Sequence, residues 1–340
     1  MSTSRHLSRF FLPLVLAALL TAAVLAKLAF AKTTATVGNG IVIVYNRLAY
    51  SGEAAAGTGM VLTSSGEILT NNHVVSGAGK LTVTVPATGK SYTGKVVGYD
   101  VADDVAVIKL SGASNLKTIS ARQLPVTAGL RVTAVGNAGG TGSLTRAPGS
   151  VTATGTTITA SDDQGSSETL TGLIETDAAV QPGDSGGPLV DSAGRVVGMT
   201  TAASAGSGFR FADAQASSGY AIPITKALKI AKQIDSGTST ARIHIGATAF
   251  LGVSLSATSD GYYDESGVTV EGVVSGGPAA KAGLQTGDVI LSLDGRTVGS
   301  PTTVRSYVLS KKPGQKVSVR YMDETGTYTT TLTLGSGPPQ

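Results

Sequence analysis

After the first 31 residues, and up to about residue 222, short runs of apolar and polar residues alternate with period two. "LTVTVPATGKSYTGKVVGYD" and "GSVTATGTTITA" show the alternation, and Gly, Pro or Asn breaks each run. Together with "GTGMVLTSSGEILTNNHVV", "DVAVIKL", "RVTAVGN", "LIETDA" and "RVVGMTTAA", they predict many short strands joined by turns. The period then changes. In "PITKALKIAKQID", Ile224, Leu228, Ala231 and Ile234 recur every three or four residues, which predicts one face of a helix. "SGTSTAR" follows as a polar, flexible stretch of the kind that separates domains. Strand patterning resumes from "HIGATAFLGVSL" to about residue 334, ahead of the tail "GSGPPQ", which is expected to be disordered. The acidic "SDDQGSSET" at 161–169 lacks the ligand spacing of a calcium loop and is read as a solvated hairpin loop.

The first 31 residues are different. Arg5 and Arg9 precede an apolar stretch over residues 10–26, and Ala29 and Ala31 fit a small-x-small cleavage pattern, so a secretory signal peptide is expected. An uncleaved anchor is the competing reading, because the apolar stretch nearly reaches the roughly 20 residues of a spanning helix. Either way the working part is expected to be secreted or in the cell envelope. Removing residues 1–31 takes away Arg5, Arg9 and Lys27 and no acid, which lowers the formal charge from +4 to +1. Nucleic acid is therefore a poor partner, and membrane contact is expected only through an uncleaved N-terminal segment. Composition agrees with a β-rich exported chain: 45 Gly, no Trp, 14% charged residues and no Cys. Its domains must hold by packing rather than by disulfides. Neither a metal nor a cofactor is expected. The boundaries implied are 1–31 for the signal, 32–237 for a first domain, 238–247 for a linker, 248–335 for a second domain and 336–340 for the tail.

Chemistry concentrates in "QPGDSGGPLV", where Ser185 stands between glycine-rich flanks. A hydroxyl that attacks a carbonyl needs a base, a group that orients the base, and donors for the developing oxyanion. Histidine is the base suited to neutral pH. Of the three His, His6 leaves with the signal and His244 falls in the linker, so His73 in "ILTNNHVVSG" remains. The orienting acid should lie between them. "GYDVADDVAVIKL" offers Asp100, Asp103 and Asp104, and Asp104 directly precedes the run "VAVIKL", which would fix its direction while Asp103 points to solvent. Gly183 and Ser185, with Asp184 between them, would supply the backbone donors of an oxyanion hole.

The His73 and Ser185 motifs and "DVAVIKL" resemble the HtrA family of trypsin-fold serine proteases, and in particular its secreted mycobacterial members. The segments "VVGYD", "GLIETDAAVQPGDSGGPLV", "AIPI" and "HIGATAFLG" extend that resemblance over nearly the whole exported chain. It implies an all-β protein with two six-stranded antiparallel β-barrels of trypsin/chymotrypsin type, a catalytic cleft between them, and a C-terminal PDZ domain. It also implies a serine endopeptidase acting on unfolded or damaged proteins through His73, Asp104 and Ser185. Residue Ala179, six before the nucleophile, would floor the S1 pocket, and Thr200, Thr201 and Ala202 would line a small to medium apolar wall. Such a pocket would favour cleavage after Val, Ala or Leu. Phe250, Leu251, Gly252 and Val253 resemble a PDZ carboxylate-binding loop, and Val304 and Val308 lie one turn apart on the expected groove helix; peptide C-termini are the expected partners. A homo-oligomer, the family's trimer, stays open, although "KTTATVGNG" at 32–40 lacks the aromatics that would lock one.

Asp184 departs from the Asn usual in the family. Two readings stand: a carboxylate held by donors from a nearby loop, or one that is partly exposed and solvated. Two rival functions also stand, a catalytically silent scaffold that binds peptides and a chaperone-like holder of unfolded chains.

Overall fold

The computed structural model describes residues 38–49, 52–162, 167–201, 209–211, 218–240, 242–257 and 267–339. The signal or anchor expected at 1–31 lies outside them, as do Ala202 and the tip of the expected hairpin loop at 163–166. Among the described residues no helix is long and apolar enough to cross a membrane.

Six strands form the first barrel: β1 (Ile41–Leu48), β2 (Ala54–Val61), β3 (Glu67–Thr70), β4 (Ala78–Val85), β5 (Lys90–Asp100) and β6 (Val105–Leu110). Their order is β5-β4-β1-β2-β3-β6, and β6 pairs back onto β5, so the sheet closes and has no bare edge. A second barrel repeats the design with β7 (Arg131–Gly136), β8 (Thr145–Asp162), β9 (Ser167–Thr176), β10 (Pro188–Asp191), β11 (Val196–Thr201) and β13 (Gly219–Pro223). Here the order is β8-β7-β10-β11-β13-β9, closed by β8 on β9, and a short strand β12 (Phe209–Phe211) lies outside on β8. Antiparallel pairing from Val151–Thr176 to Ser161–Ser167 makes β8 and β9 the two arms of a long hairpin around residues 163–166. The expected two six-stranded barrels are thus both present.

Alternation along the strands divides the apolar residues between three cores. Val42, Val44, Ile68, Ala106 and Ile108 fill the first barrel, and Val132, Ala134, Ile174 and Leu189 fill the second. The intervening residues Ile41, Met60, Leu69, Val105 and Val107 meet Val135, Leu173, Met199 and Ile222 in the seam between the barrels. Strand β6 is therefore apolar on both faces, because one face lines a barrel and the other the seam. The helix read from the period-3.6 pattern is α2 (Ile224–Asp235), following the short α1 (Asn72–Val75). Ile224, Ala227, Ile230, Ala231 and Ile234 of α2 are buried in the same seam, with Leu228 at its margin.

The stretch expected to be a free linker is only partly one. Residues Ile243–Ile245 form β14, which extends the first barrel's sheet by pairing with β5 at Gly98–Asp100. His244 stacks at 5.1 Å on Tyr99, and burial pushes its pKa down, against the pull of its bond to the Ala247 carbonyl. Beyond it come β15 (Thr248–Phe250), β16 (Val253–Ala257), β17 (Val268–Val273), α3 (Pro278–Lys281), β18 (Val289–Leu293), β19 (Arg296–Thr297), α4 (Pro301–Leu309), β20 (Lys316–Asp323), β21 (Gly326–Thr333) and β22 (Gly335–Gly337). Strands β16-β17-β18-β20-β21 make one sheet, with β19 on β18, around a separate core of Leu251, Val268, Ile290, Val304 and Val319. Ser300 starts α4 as its N-cap, its side chain accepting the Thr303 N–H at 3.1 Å, with Pro301 at the first helical position.

The tail reading needs correction. Gly335–Gly337 pair with β15 instead of trailing away, and the Pro339 carbonyl accepts the Gly77 N–H at 2.7 Å. The Phe250 side chain lies where a side chain on Gly337 would be, so a sequence of glycine and serine fits here because it has no bulk.

Candidate active site

His73 lies in the single turn α1, far too short to stand alone. Asn46 on β1 reaches across with its side-chain amide to the carbonyls of Val74 and Ser76, at 3.1 and 3.0 Å, and satisfies the turn's open end. Asn71, just before the turn, donates to the Asp104 carbonyl at 2.9 Å. These bonds tie His73 to the barrel wall and to Asp104 together.

Asp104 is the residue ahead of β6, and its side chain turns to His73. Its φ of +52° lies in the left-handed region, which Asp tolerates better than most L residues. The carboxylate receives the His73 backbone N–H at 3.0 Å, the His73 Nδ1 at 2.9 and 3.0 Å to its two oxygens, and the Thr201 hydroxyl at 3.0 Å. A carboxylate only accepts, so Nδ1 carries a proton, and in the neutral imidazole this leaves the lone pair on Nε2. Asp103 does not stand free in solvent as expected. It is ion-paired to Lys226 at 2.7 Å and to Arg242, while Arg242 also approaches Asp100 at 3.7 Å.

Ser185 is buried on a turn built by glycines. Gly183 has φ +97° and Gly186 φ +81°. A Cβ on the first would stand 2.1 Å from the Asn137 carbonyl oxygen, and on the second 2.2 Å from that of Thr58, so only glycine fits either place. Thr58 on β2 donates its N–H to the Ser185 carbonyl at 2.8 Å, joining the turn to the first barrel.

Asp184 is 3% exposed, which rules out the solvated reading. The loop-held reading also needs adjustment, because the one donor to its side chain among the described residues is the Gln181 N–H of the same turn, at 3.0 Å. Its Oδ1 is buried and accepts no hydrogen bond among them. Burial pushes the carboxyl above its ordinary 3.8, and the Gln181 bond only partly offsets this.

The expected S1 residues divide. Ala179 is exposed, Thr200 is buried and holds the turn through Gly186 N–H to its carbonyl at 2.8 Å, and Thr201 turns its hydroxyl to Asp104 rather than to a pocket. In the second domain Gly252 has φ +87°, and the carbonyls of Leu251 and Gly252 are held by the N–H groups of Ala279 and Val274 at 3.0 and 2.9 Å. Val253 begins β16, which pairs with β17 on one side only among the described residues. Phe250 lies over Gly337, and Leu251, Val304 and Val308 are buried in the domain core, so their first role is packing. Among the described residues no three His, Cys, Asp or Glu gather as a metal site would require.

Residues 57–199 match the family described as a trypsin-like peptidase domain, and residues 249–334 match the PDZ domain. The serine protease PepD of Mycobacterium tuberculosis is 34% identical over 298 residues, covering 83% of this chain and 61% of that protein. A probable periplasmic serine endoprotease, DegP-like, of Chlamydia trachomatis is 34% identical over 291 residues, covering 85% and 55%. Among solved structures, the HtrA-type protease AlgW with a tripeptide superposes at a TM-score of 0.52 with 30% identity, covering 92% of this chain and 98% of that one. The chain thus spans little more than half the length of these two curated relatives. With a trypsin-like peptidase domain and a PDZ domain in that order, and likeness to HtrA proteins along most of its length, the chain belongs to the HtrA family of serine proteases.

Proposed function

We propose that this protein is an exported serine endopeptidase in which Ser185 attacks, His73 takes its proton and Asp104 orients His73. The observation that carries the reading is the Asp104 carboxylate, which binds His73 by ring and by backbone while Thr201 holds it from the other barrel. His73 Nε2 removes the Ser185 proton as Oγ adds to the scissile carbonyl, then returns it to the leaving amine; the acyl-enzyme is hydrolysed by the same steps with water. Asp104 stabilises the imidazolium between the two transfers. The N–H groups of Gly183 and Ser185 receive the oxyanion. For Gly183 the geometry supports this: the Gly139 N–H binds the Pro182 carbonyl at 2.8 Å, and in a trans peptide the Gly183 N–H then points the opposite way.

Unfolded or damaged proteins are the proposed substrates, cut after Val, Ala or Leu at a pocket floored by Ala179. The PDZ domain is proposed to take peptide C-termini along the open side of β16. The inward-held carbonyls of Leu251 and Gly252 support this, since they turn the loop's amides outward. Export is supported by the basic and apolar start of the sequence and by relatives named as periplasmic.

Labelling with a fluorophosphonate, wild type against Ser185→Ala, tests the reading together with casein cleavage. Labelling and cleavage should both vanish in Ser185→Ala. Cleavage that survives unchanged would remove Ser185 from the mechanism.

A further inference from the structure

The Gly183 amide is useful only if the peptide before it and the peptide after it are both held, because glycine at φ +97° resists rotation less than any other residue. The Pro182–Gly183 unit is held by Gly139 in the turn at Ala138–Gly140. The Gly183–Asp184 unit is held from the other barrel: the Thr58 hydroxyl donates to the Gly183 carbonyl at 2.7 Å. That hydroxyl oxygen also accepts the Asn137 N–H at 2.9 Å. Asn137 begins the turn that contains Gly139, with its carbonyl accepting the Gly140 N–H and its Oδ1 the Gly142 N–H, both at 2.8 Å. One fully buried side chain therefore engages both supports of Gly183, from a position 125 residues away in the sequence.

We propose that Thr58 is a positioning residue for the oxyanion hole. Its hydroxyl passes a hydrogen bond from the Asn137 amide to the Gly183 carbonyl and so keeps the Gly183 N–H aimed at the reacting carbonyl. Thr58 is itself fixed by the Thr70 hydroxyl on its carbonyl at 2.7 Å, and its methyl packs on Gly187. Its backbone bond to the Ser185 carbonyl does not depend on the side chain, so a variant that removes the hydroxyl keeps the serine anchored while it frees the Gly183 carbonyl and the Asn137 N–H. This inference rests on the protease reading above.

The test compares Thr58→Val, which keeps the shape without the hydroxyl, with Thr58→Ser, which keeps the hydroxyl without the methyl. In Thr58→Val, kcat on a peptide substrate should fall about 10- to 100-fold, less than the roughly hundredfold or greater cost of deleting an oxyanion donor outright, with KM within about twofold. Affinity for a peptide aldehyde, whose adduct carries the oxyanion, should fall by a similar factor. Thr58→Ser should recover most of both. Should Thr58→Val fail to fold, Thr58→Cys, a weak donor of nearly the same volume, carries the same test. A wild type without cleavage would defeat the protease reading itself. With an active wild type, an unchanged kcat in Thr58→Val, an unchanged aldehyde affinity, or no recovery in Thr58→Ser would overturn the role of Thr58.

Discussion

Two carboxylates flank the candidate site, one from each barrel, and their surroundings differ. Asp104 and Asp184 are almost equally buried, yet among the described residues Asp104 receives donors on both oxygens while Asp184 receives one N–H on one oxygen. Burial alone disfavours a charge, and only donors repay it. The first barrel thus holds its carboxylate by both oxygens, and through it the ring and backbone of His73. In the second barrel the carboxylate shapes the turn through Gln181, and burial pushes its pKa up.

From that contrast, Asp104→Asn is expected to be the most damaging of the carboxylate changes. The amide cannot accept at both oxygens and would favour the wrong imidazole tautomer, so kcat should fall by roughly 10⁴ with little change in fold. Asp103→Asn, at a side chain paired with Lys226 and Arg242, should stay close to wild type; a ranking with Asp103 above Asp104 in a casein assay would reverse the assignment.

Asp184 should matter less, and through shape rather than charge. Asp184→Ala removes the acceptor for the Gln181 N–H, and the loosened oxyanion turn should lower kcat by about ten- to a hundredfold. Asp184→Asn keeps an oxygen for that N–H and should remain active. Equal rates in Ala, Asn and wild type would deny Asp184 any part in the turn, and an inactive Asn variant would mean that the charge itself is required.

The smallest effect is in stability. A carboxyl whose folded pKa is raised contributes stability fully below its unfolded value, near 3.8, and loses it as pH rises through the raised folded value. Melting of wild type against Asp184→Asn should therefore favour wild type progressively as the pH drops from neutral towards 3.8. A pH-independent difference between the two would show that Asp184 titrates alike in the folded and unfolded chains.

Much of this was legible in the sequence, and the losses have a common cause. His73 and Ser185 sit in motifs with local geometry, and Asp104 could be chosen because a strand begins beside it. The helix at 224–235 declared itself by period. Thr201 and Thr58 did not, because each acts on a partner across the barrel seam, 97 and 125 residues away, and nothing near a threonine announces such a bond. Strand β14 was hidden by its length of three residues inside a polar stretch. Strand β22 was hidden by composition, since Gly-Ser-Gly has poor strand propensity and is ordered by backbone pairing and by the Phe250 ring.

Strand β6 has a consequence for how this sequence can change over generations. A strand on an ordinary sheet has one face where substitutions are nearly neutral, but Val105, Ala106, Val107 and Ile108 have none, since every side chain fills either the first barrel or the seam. In a library of random variants this run should tolerate fewer replacements per position than any surface strand, and the tolerated ones should conserve volume. Asp104 stands directly ahead of it, so drift that would move the acid has to pass through two cores at once.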